Sequence, residues 1–178
     1  MRRRQFLGAA LTLAAGCSTP GIRLDAPYVV TPYPVVDEML RLGRVGPSDM
    51  VFDLGCGDGR IVIAAAERHG ARGVGIDIDP RRIEEANAAA RRVGVAHRVR
   101  FTVQDLFETD FSAATVVTLY LFPELNAKLR PKLLADLKPG ARVVSHQFGI
   151  PGWPAHDGAQ IRVGDTVHEV FLWVVPRA

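Results

Sequence analysis

A carboxylate, a run of alternate glycines and a second carboxylate occur at spacings that suit the binding of a nucleoside. Gly55, Gly57 and Gly59 follow Asp53, and Asp77 comes 24 residues after Asp53. The glycines let the backbone approach a ligand closely, and the helix expected after them offers free N–H groups. A carboxylate in the position of Asp77 can accept two hydrogen bonds from a ribose diol.

The glycine spacing differs from two common phosphate-binding patterns. It is not the dinucleotide fingerprint G-x-G-x-x-G, and the Lys-Ser/Thr pair of a phosphate loop does not follow it. A third acid, Asp105, follows the third predicted strand and could bind an adenine amino group from the side. These residues therefore favour a ligand that carries a ribose and an adenine over one that is held through a pyrophosphate.

Hydrophobic periodicity predicts the elements that position these residues. Short apolar runs alternate with helical patterns, and the last two strands flank a turn with no helix between them. This order predicts an α/β fold: a Rossmann-like, doubly wound sheet of seven strands, mostly parallel, with helices on both faces and a C-terminal antiparallel hairpin. The predicted strands are Met50–Leu54, Gly73–Asp77, Val99–Val103, Thr115–Leu121, Arg142–Phe148, Gln160–Val163 and Val167–Val175, and the predicted helices are one from Pro34 that ends before Gly46, Arg60–His69, Arg81–Gly94 and Glu124–Leu137.

The ten residues Val51–Arg60 resemble the glycine-rich signature of the class I S-adenosylmethionine-dependent methyltransferases. The resemblance extends from Pro32 to about Val175, and both downstream acids belong to it. It implies an enzyme that binds S-adenosylmethionine, with the glycine loop under the methionine and adenosine parts and the later acids at the ribose and the adenine. The cofactor-binding residues that it implies are Asp53, Gly55, Gly57, Asp58, Gly59, Asp77, Asp105 and Leu106.

A narrower resemblance rests on the segment Pro27–Pro32, the stretch Asp53–Ile63, and Phe107. Together they are similar to the group that contains the ATP-synthase c-subunit lysine methyltransferases and their bacterial relatives. This likeness implies that Tyr28 and Thr31 fold over the methionine end of the cofactor. The alternative for these two residues is a lead-in segment that packs on the edge of the sheet.

The fourth predicted strand ends in the segment Tyr120–Glu124, at the edge where open α/β sheets keep their reacting groups. This segment lacks the Asn/Asp-Pro-Pro-Tyr/Phe sequence of DNA and glutamine amide methyltransferases, which disfavours adenine, cytosine and glutamine acceptors. Its apolar and aromatic side chains suit a long aliphatic chain that ends in an amine, so a protein lysine is the predicted acceptor. The candidates to orient it are Tyr120, Glu124 and His146, which otherwise have ordinary roles at strand ends and helix caps.

The sequence is also compatible with two other functions. One is a small-molecule N-, O- or S-methyltransferase, and the other is a cofactor-binding envelope lipoprotein without turnover. No metal site is predicted, because the spacing of the candidate ligands matches no standard pattern. These candidates are His146, His156, Asp157 and His168.

The N-terminus has the features of a secretory signal. Arg2–Arg4 precede the apolar run Phe6–Ala15, and the stretch Leu13–Cys17 resembles a bacterial lipobox, in which the cysteine becomes lipidated. Residues 1–16 are therefore predicted to be a lipoprotein-type signal peptide with a twin-arginine-like core, residues 17–33 a tether and lead-in segment, and residues 34–178 the methyltransferase domain. This predicts a bacterial envelope protein anchored through Cys17 and facing the periplasm if exported. One alternative is an uncleaved N-terminal anchor. Another is a misassigned start codon, in which case the protein is cytoplasmic.

Composition fits one globular domain, predicted to be a monomer, and gives no support for nucleic acid as a partner. The chain has 178 residues, of which 48% are hydrophobic, and a formal net charge of +3. Cleavage before Cys17 would remove three arginines from the 22 basic residues and leave 19, equal to the 19 acidic ones. The basic balance therefore belongs to the leader. A lipidated Cys17 would also leave Cys56 without a disulfide partner.

Overall fold

The computed structural model describes residues 29–176. The predicted signal peptide, the predicted lipidation site Cys17 and the predicted cofactor residue Tyr28 lie outside the described residues, so the export and anchoring of the chain remain predictions. Among residues 29–176, no helix combines the length and the apolarity needed to cross a membrane. The helices are α1 (Tyr33–Leu42), α2 (Arg60–His69), α3 (Pro80–Val93) and α4 (Pro123–Asp136), and the strands are β1 (Met50–Leu54), β2 (Arg72–Asp77), β3 (Val99–Val103), β4 (Val116–Leu119), β5 (Arg142–His146), β6 (Asp157–Val163) and β7 (Thr166–Val174).

The strands form one sheet in the order β3-β2-β1-β4-β5-β7-β6. The first five strands along the chain pair in parallel, and β7 pairs antiparallel with both β5 and β6. Within the sheet, β1 is central, β2 and β3 follow it on one side, and β4 lies on the other side of β1. The predicted seven-stranded, mostly parallel fold with its antiparallel C-terminal hairpin is confirmed. Such a reversal of strand order leaves a crevice at the carboxyl ends of the strands, where ligands bind.

Helices cover both faces of the sheet. Along β1, Val51 packs into the cluster that α1 and α2 form, whereas Phe52 and Leu54 pack into the cluster that contains α4. All four residues of β4 are buried, as expected for a central strand between two helical layers. A buried α/β core therefore supports the crevice between β1 and β4.

Three predicted strand boundaries differ from the structure by two residues or more. The fourth strand ends at Leu119, two residues earlier than predicted, because its pairing with β1 stops at Leu54, where the glycine loop begins, and α4 then begins at Pro123. The sixth strand begins at Asp157, three residues earlier than predicted, because pairing with β7 imposes an extended backbone on residues of low strand propensity. The fifth strand ends at His146, two residues before the predicted Phe148, because Gln147 has a positive φ of 66°, outside the extended region. The early end of β4 leaves Tyr120 and Leu121 in a loop at the edge of the crevice.

Candidate active site

A cavity lies at the carboxyl ends of β1, β2 and β4. It holds about 1120 Å³ of space that protein atoms do not fill, part of it continuous with solvent. The sequence-predicted site residues that line it are Thr31, Asp53, Gly55, Gly57, Asp77, Asp105, Leu106 and Tyr120. The fold thus brings together residues that lie up to 89 positions apart in the chain, between Thr31 and Tyr120.

The glycine loop between β1 and α2 forms the floor of this cavity. Gly55 and Gly57 have φ angles of 85° and 53°, which favour residues without a Cβ. The N–H groups of Gly55 and Cys56 both donate to the carbonyl of Ile76, at 2.8 and 2.9 Å. The N–H of Gly57 donates to Oδ2 of Asp77 at 2.8 Å. These bonds fix the loop to the end of the neighbouring strand.

The carboxylate of Asp77 is held from two sides. Besides Gly57 at Oδ2, the N–H of Asp79 donates to Oδ1 at 2.9 Å. A carboxylate has about four lone-pair positions, so each oxygen keeps capacity for a further donor. Because Asp77 lines the cavity in a fixed orientation, it is suited to accept two hydrogen bonds from a diol.

Asp53 is the most perturbed acid of the site. It is 3% exposed, and its carboxylate accepts a hydrogen bond from the hydroxyl of Thr118 at 2.7 Å. Burial raises its pKa to about 7, and the nearby carboxylates of Asp77 and Asp58 act in the same direction, against the bond from Thr118. A ligand with positive charge in the cavity would favour the ionised form of Asp53. The residue therefore suits a cationic ligand.

Hydrogen bonds connect Asp58, Arg60 and Thr31 beside the mouth of the cavity. The guanidinium of Arg60 pairs with Asp58, its Nε donating to Oδ1 at 2.9 Å, and its Nη1 donates to the carbonyl of Thr31 at 3.1 Å. The predicted cofactor residue Asp58 does not line the cavity. Its carboxylate orients the arginine that holds the segment before α1, which includes Val29 and Val30, against the mouth of the cavity.

The acceptor candidates lie in three different environments. Tyr120 lines the cavity, and burial raises the pKa of its hydroxyl. His146 is completely buried and does not line the cavity; its ring centroid is 4.0 Å from that of Tyr120. Glu124 is exposed in the first turn of α4, outside the lining residues. Of the three, Tyr120 is the one in a position to touch a bound ligand.

Sequence reasoning missed several lining residues. Most of them directly follow a strand or lie beside a predicted residue, so the neighbours of each strand-end acid were the available signal. The missed lining residues are Val29, Val30, Cys56, Arg60, Ile61, Ile76, Ile78, Asp79, Arg82, Gln104, Phe107, Leu121 and Leu125.

In the part of the chain that the structure describes, no three His, Cys, Asp or Glu side chains lie together as metal ligands would.

Gly59 has a packing role rather than a place in the cavity lining. Its φ is 76°, and a Cβ at this position would lie 2.6 Å from the ring of Phe101 on β3 and 2.8 Å from Cβ of Ala86 on α3. A Cβ on Gly75 of β2 would lie 2.5 Å from the same ring. The start of α2, the second strand and the aromatic ring therefore share one tightly filled space.

This packing predicts that Gly59→Ala lowers the free energy of unfolding by more than Gly94→Ala. Both glycines have positive φ, at 76° and 84°, but among residues 29–176 no atom beyond the chain neighbours lies within 4 Å of a Cβ built on Gly94. Backbone strain costs about 1–2 kcal/mol at either position, and overpacking adds about 1–3 kcal/mol at Gly59 alone. Urea denaturation of the two variants measures the difference. Equal losses of stability would contradict the packing role.

The model of the family described as ANTKMT methyltransferase domain matches residues 53–157, more than half of the chain. The chain belongs to this family. The methyltransferase is 45% identical over 150 residues to the protein-lysine N-methyltransferase of Saccharolobus islandicus, covering 84% of this chain and 93% of that protein. It is 35% identical over 156 residues to the ATP-synthase c-subunit lysine N-methyltransferase of Xenopus laevis, covering 84% and 68% of the two chains.

Solved structures agree with this assignment. The RNA methyltransferase of Salinibacter ruber in complex with S-adenosylhomocysteine has a TM-score of 0.79 and 50% identity to this methyltransferase, covering 84% of this chain and 95% of that one. A methyltransferase of Geobacter sulfurreducens, also in complex with S-adenosylhomocysteine, has a TM-score of 0.58 and 26% identity, covering 77% of this chain and 52% of that one. The predicted resemblance to class I methyltransferases and the predicted cofactor, S-adenosylmethionine, are confirmed.

The cavity of the methyltransferase fits this cofactor by the chemistry of its side chains. Bound S-adenosylmethionine supplies a methyl group on a cationic sulfonium. The buried carboxylate of Asp53 suits the positive charge of its methionine end, and the fixed carboxylate of Asp77 suits the ribose hydroxyls. Asp105, whose Oδ1 accepts the N–H of Phe107 at 2.8 Å, and Leu106 line the part of the cavity predicted for the adenine. These individual assignments remain predictions.

Proposed function

We propose that the methyltransferase transfers the methyl group to the side-chain amine of a protein lysine. The observation that carries the proposal is the apolar wall of the cavity, to which Phe107, Tyr120, Leu121 and Leu125 contribute. A lysine has a flexible four-carbon stem that packs along such a surface and ends in a compact cation. The names of the relatives from Saccharolobus islandicus and Xenopus laevis support the same acceptor.

The acceptor amine must lose a proton before it can attack a methyl group. Taking a lysine from its ordinary pKa near 10.4 to the neutral form at pH 7 costs about 4–5 kcal/mol. Desolvation in the apolar part of the cavity reduces this cost, because it disfavours the ammonium form. The apolar wall therefore serves both to bind the aliphatic stem and to prepare the amine. Positioning of the amine in line with the methyl group contributes the larger part of the rate.

An RNA acceptor is the second candidate, and one observation favours it. The structural neighbour from Salinibacter ruber, at 50% identity, is described as an RNA methyltransferase. The segment Tyr120–Glu124 lacks the Asn/Asp-Pro-Pro-Tyr/Phe sequence that grips a planar amino group. An adenine or cytosine acceptor would therefore need recognition by other residues.

Labelling separates these acceptors. The purified protein is incubated with S-adenosylmethionine that carries a tritiated methyl group and, in parallel, with the total protein, the total RNA and the small-molecule fraction of cells that lack this chain. We expect label in the protein fraction, recovered as methyllysine after hydrolysis, and no label with the Asp77→Ala variant. Label that appears in RNA or in small molecules instead would overturn the lysine proposal. Cofactor binding without label in any fraction would support the alternative without turnover.

A further inference from the structure

A chain of hydrogen-bonding groups leads away from the cavity through the interior of the protein. Thr31, 5% exposed, lines the cavity, and its Oγ1 lies 3.2 Å from Nδ1 of His146. On the other side of the same ring, Nε2 of His146 lies 3.0 Å from Nδ1 of His168 on β7. His168 is half-buried, so these hydrogen-bonding groups connect the cavity with the surface.

The position of His146 is unusual for a histidine that only fills space in the core. It is completely buried at the end of β5, where an apolar residue would avoid the cost of burying two ring nitrogens. The side chains that titrate and lie against it are Tyr120, from the loop after β4, and His168, from β7. Arg60 reaches the same region through the carbonyl of Thr31.

His146 is neutral at pH 7, because burial and the neighbouring His168 lower its pKa to about 4. A neutral imidazole has one nitrogen that donates and one that accepts. With the proton on Nε2, the ring donates to Nδ1 of His168 and accepts the hydroxyl proton of Thr31 at Nδ1. This arrangement is the one that can pass a proton from one side of the ring to the other.

We propose that Thr31, His146 and His168 form a relay that carries the proton of the acceptor amine from the cavity to solvent. The inference rests on the proposed lysine acceptor and goes beyond it by assigning the route of the proton. Binding of the lysine stem and its alignment with the methyl group do not themselves require these histidines.

The transfers balance along the relay. The N–H bond of the ammonium breaks, and its proton passes to Oγ1 of Thr31, whose own hydroxyl proton passes to Nδ1 of His146. The proton on Nε2 of His146 passes to Nδ1 of His168, which then releases one proton to water. The electron pair left on the amine nitrogen is the pair that forms the bond to the methyl group. This transfer leaves both rings protonated at Nδ1. After the product leaves, a proton from water enters at Nε2 of His168, the protons move back along the relay, and Thr31 releases one to the water that fills the cavity, which restores all three groups.

The test is the pH dependence of His168→Gln, measured as the initial rate of methyllysine formation on the total cell protein at saturating S-adenosylmethionine. Glutamine can still accept a hydrogen bond from His146 but cannot carry a proton. We expect the rate at pH 7 to fall at least tenfold and to return to within twofold of wild type at pH 10, where a large part of the lysine side chain is neutral without help. The affinity for S-adenosylmethionine, measured by calorimetry, stays within twofold.

A matched pair at Thr31 tests the cavity end of the relay. Thr31→Ser keeps the hydroxyl and retains at least half of the rate at pH 7, whereas Thr31→Val loses the hydroxyl at nearly constant volume and shows the same pH-dependent loss as His168→Gln. An unchanged rate in His168→Gln, or a loss that is equal from pH 7 to pH 10, would overturn the relay and leave the lysine acceptor intact. If the wild-type protein forms no methyllysine, both proposals fall.

Discussion

Replacing Asp77 by alanine is expected to weaken the binding of S-adenosylmethionine by a factor of about 100 or more. The carboxylate lines the cavity at the end of β2 and is oriented by the N–H groups of Gly57 and Asp79, at 2.8 and 2.9 Å. Each charge-assisted hydrogen bond to a ribose hydroxyl contributes about 1.5–3 kcal/mol. Loss of two such bonds accounts for the factor, and the variant also removes one of the three hydrogen bonds that fix the glycine loop to β2.

Isothermal titration calorimetry with S-adenosylhomocysteine measures this loss without turnover. Glu84→Gln is the matched control, because it removes one carboxylate from an exposed position on α3 outside the cavity lining, and its affinity should equal that of wild type. Circular dichroism checks that both variants are folded. If Asp77→Ala binds within about twofold of wild type, the assignment of the ribose site to Asp77 is wrong.

The second large effect concerns stability: Asp53→Asn should stabilise the protein without cofactor at pH 8. Burial raises the pKa of Asp53 to about 7, well above the ordinary value of 3.8. Between these two values the folded protein holds a proton that the unfolded chain has lost. The free energy of unfolding therefore falls by up to about 4 kcal/mol as the pH rises from 4 to 7, and it stays at the lower level above pH 7.

Asparagine removes the titrating group and keeps an oxygen that can accept the hydroxyl of Thr118. The quantity to measure is the difference in the free energy of unfolding between wild type and Asp53→Asn, by urea denaturation at several pH values. We expect the variant to gain stability over wild type progressively from pH 4 to pH 7, and to bind S-adenosylmethionine more weakly because the buried negative charge is gone. A difference that does not vary with pH would contradict the raised pKa of Asp53. Glu84→Gln again provides the control.

Much of the fold could be predicted because apolar runs and glycine turns are local signals. The alternation of β1, α2, β2 and α3 follows from hydrophobic periodicity, and the rule that parallel strands end at one edge brings Asp53, Asp77 and Asp105 to one cavity. The edge strand β6 was harder to delimit, because Asp157 and Gly158 have little strand propensity and become extended only by pairing with β7. Tertiary pairing decided that boundary.

The site residues that could be predicted are those in the glycine-rich motif and those at strand ends, because a local pattern fixes their positions. The contact between His146 and His168 depends on β5 and β7 lying side by side in one register, which places His146 opposite Val170, and no local pattern reports this register. The role of Asp58 depends likewise on the direction of the Arg60 side chain. Long-range geometry is therefore what local sequence patterns do not reveal.

The ring of Phe101 limits how the sequence of this protein can drift. Because it occupies the space next to both Gly59 and Gly75, a Cβ at either glycine requires a smaller residue at position 101. A smaller residue there, arising first, leaves a void beside α2 and α3. Each single step is thus costly, and a Cβ at either glycine would also press on a second neighbour, Ala86 at Gly59 or Cys56 at Gly75. A side chain outside the cavity lining thereby restrains the evolution of the loop that forms the floor of the cavity.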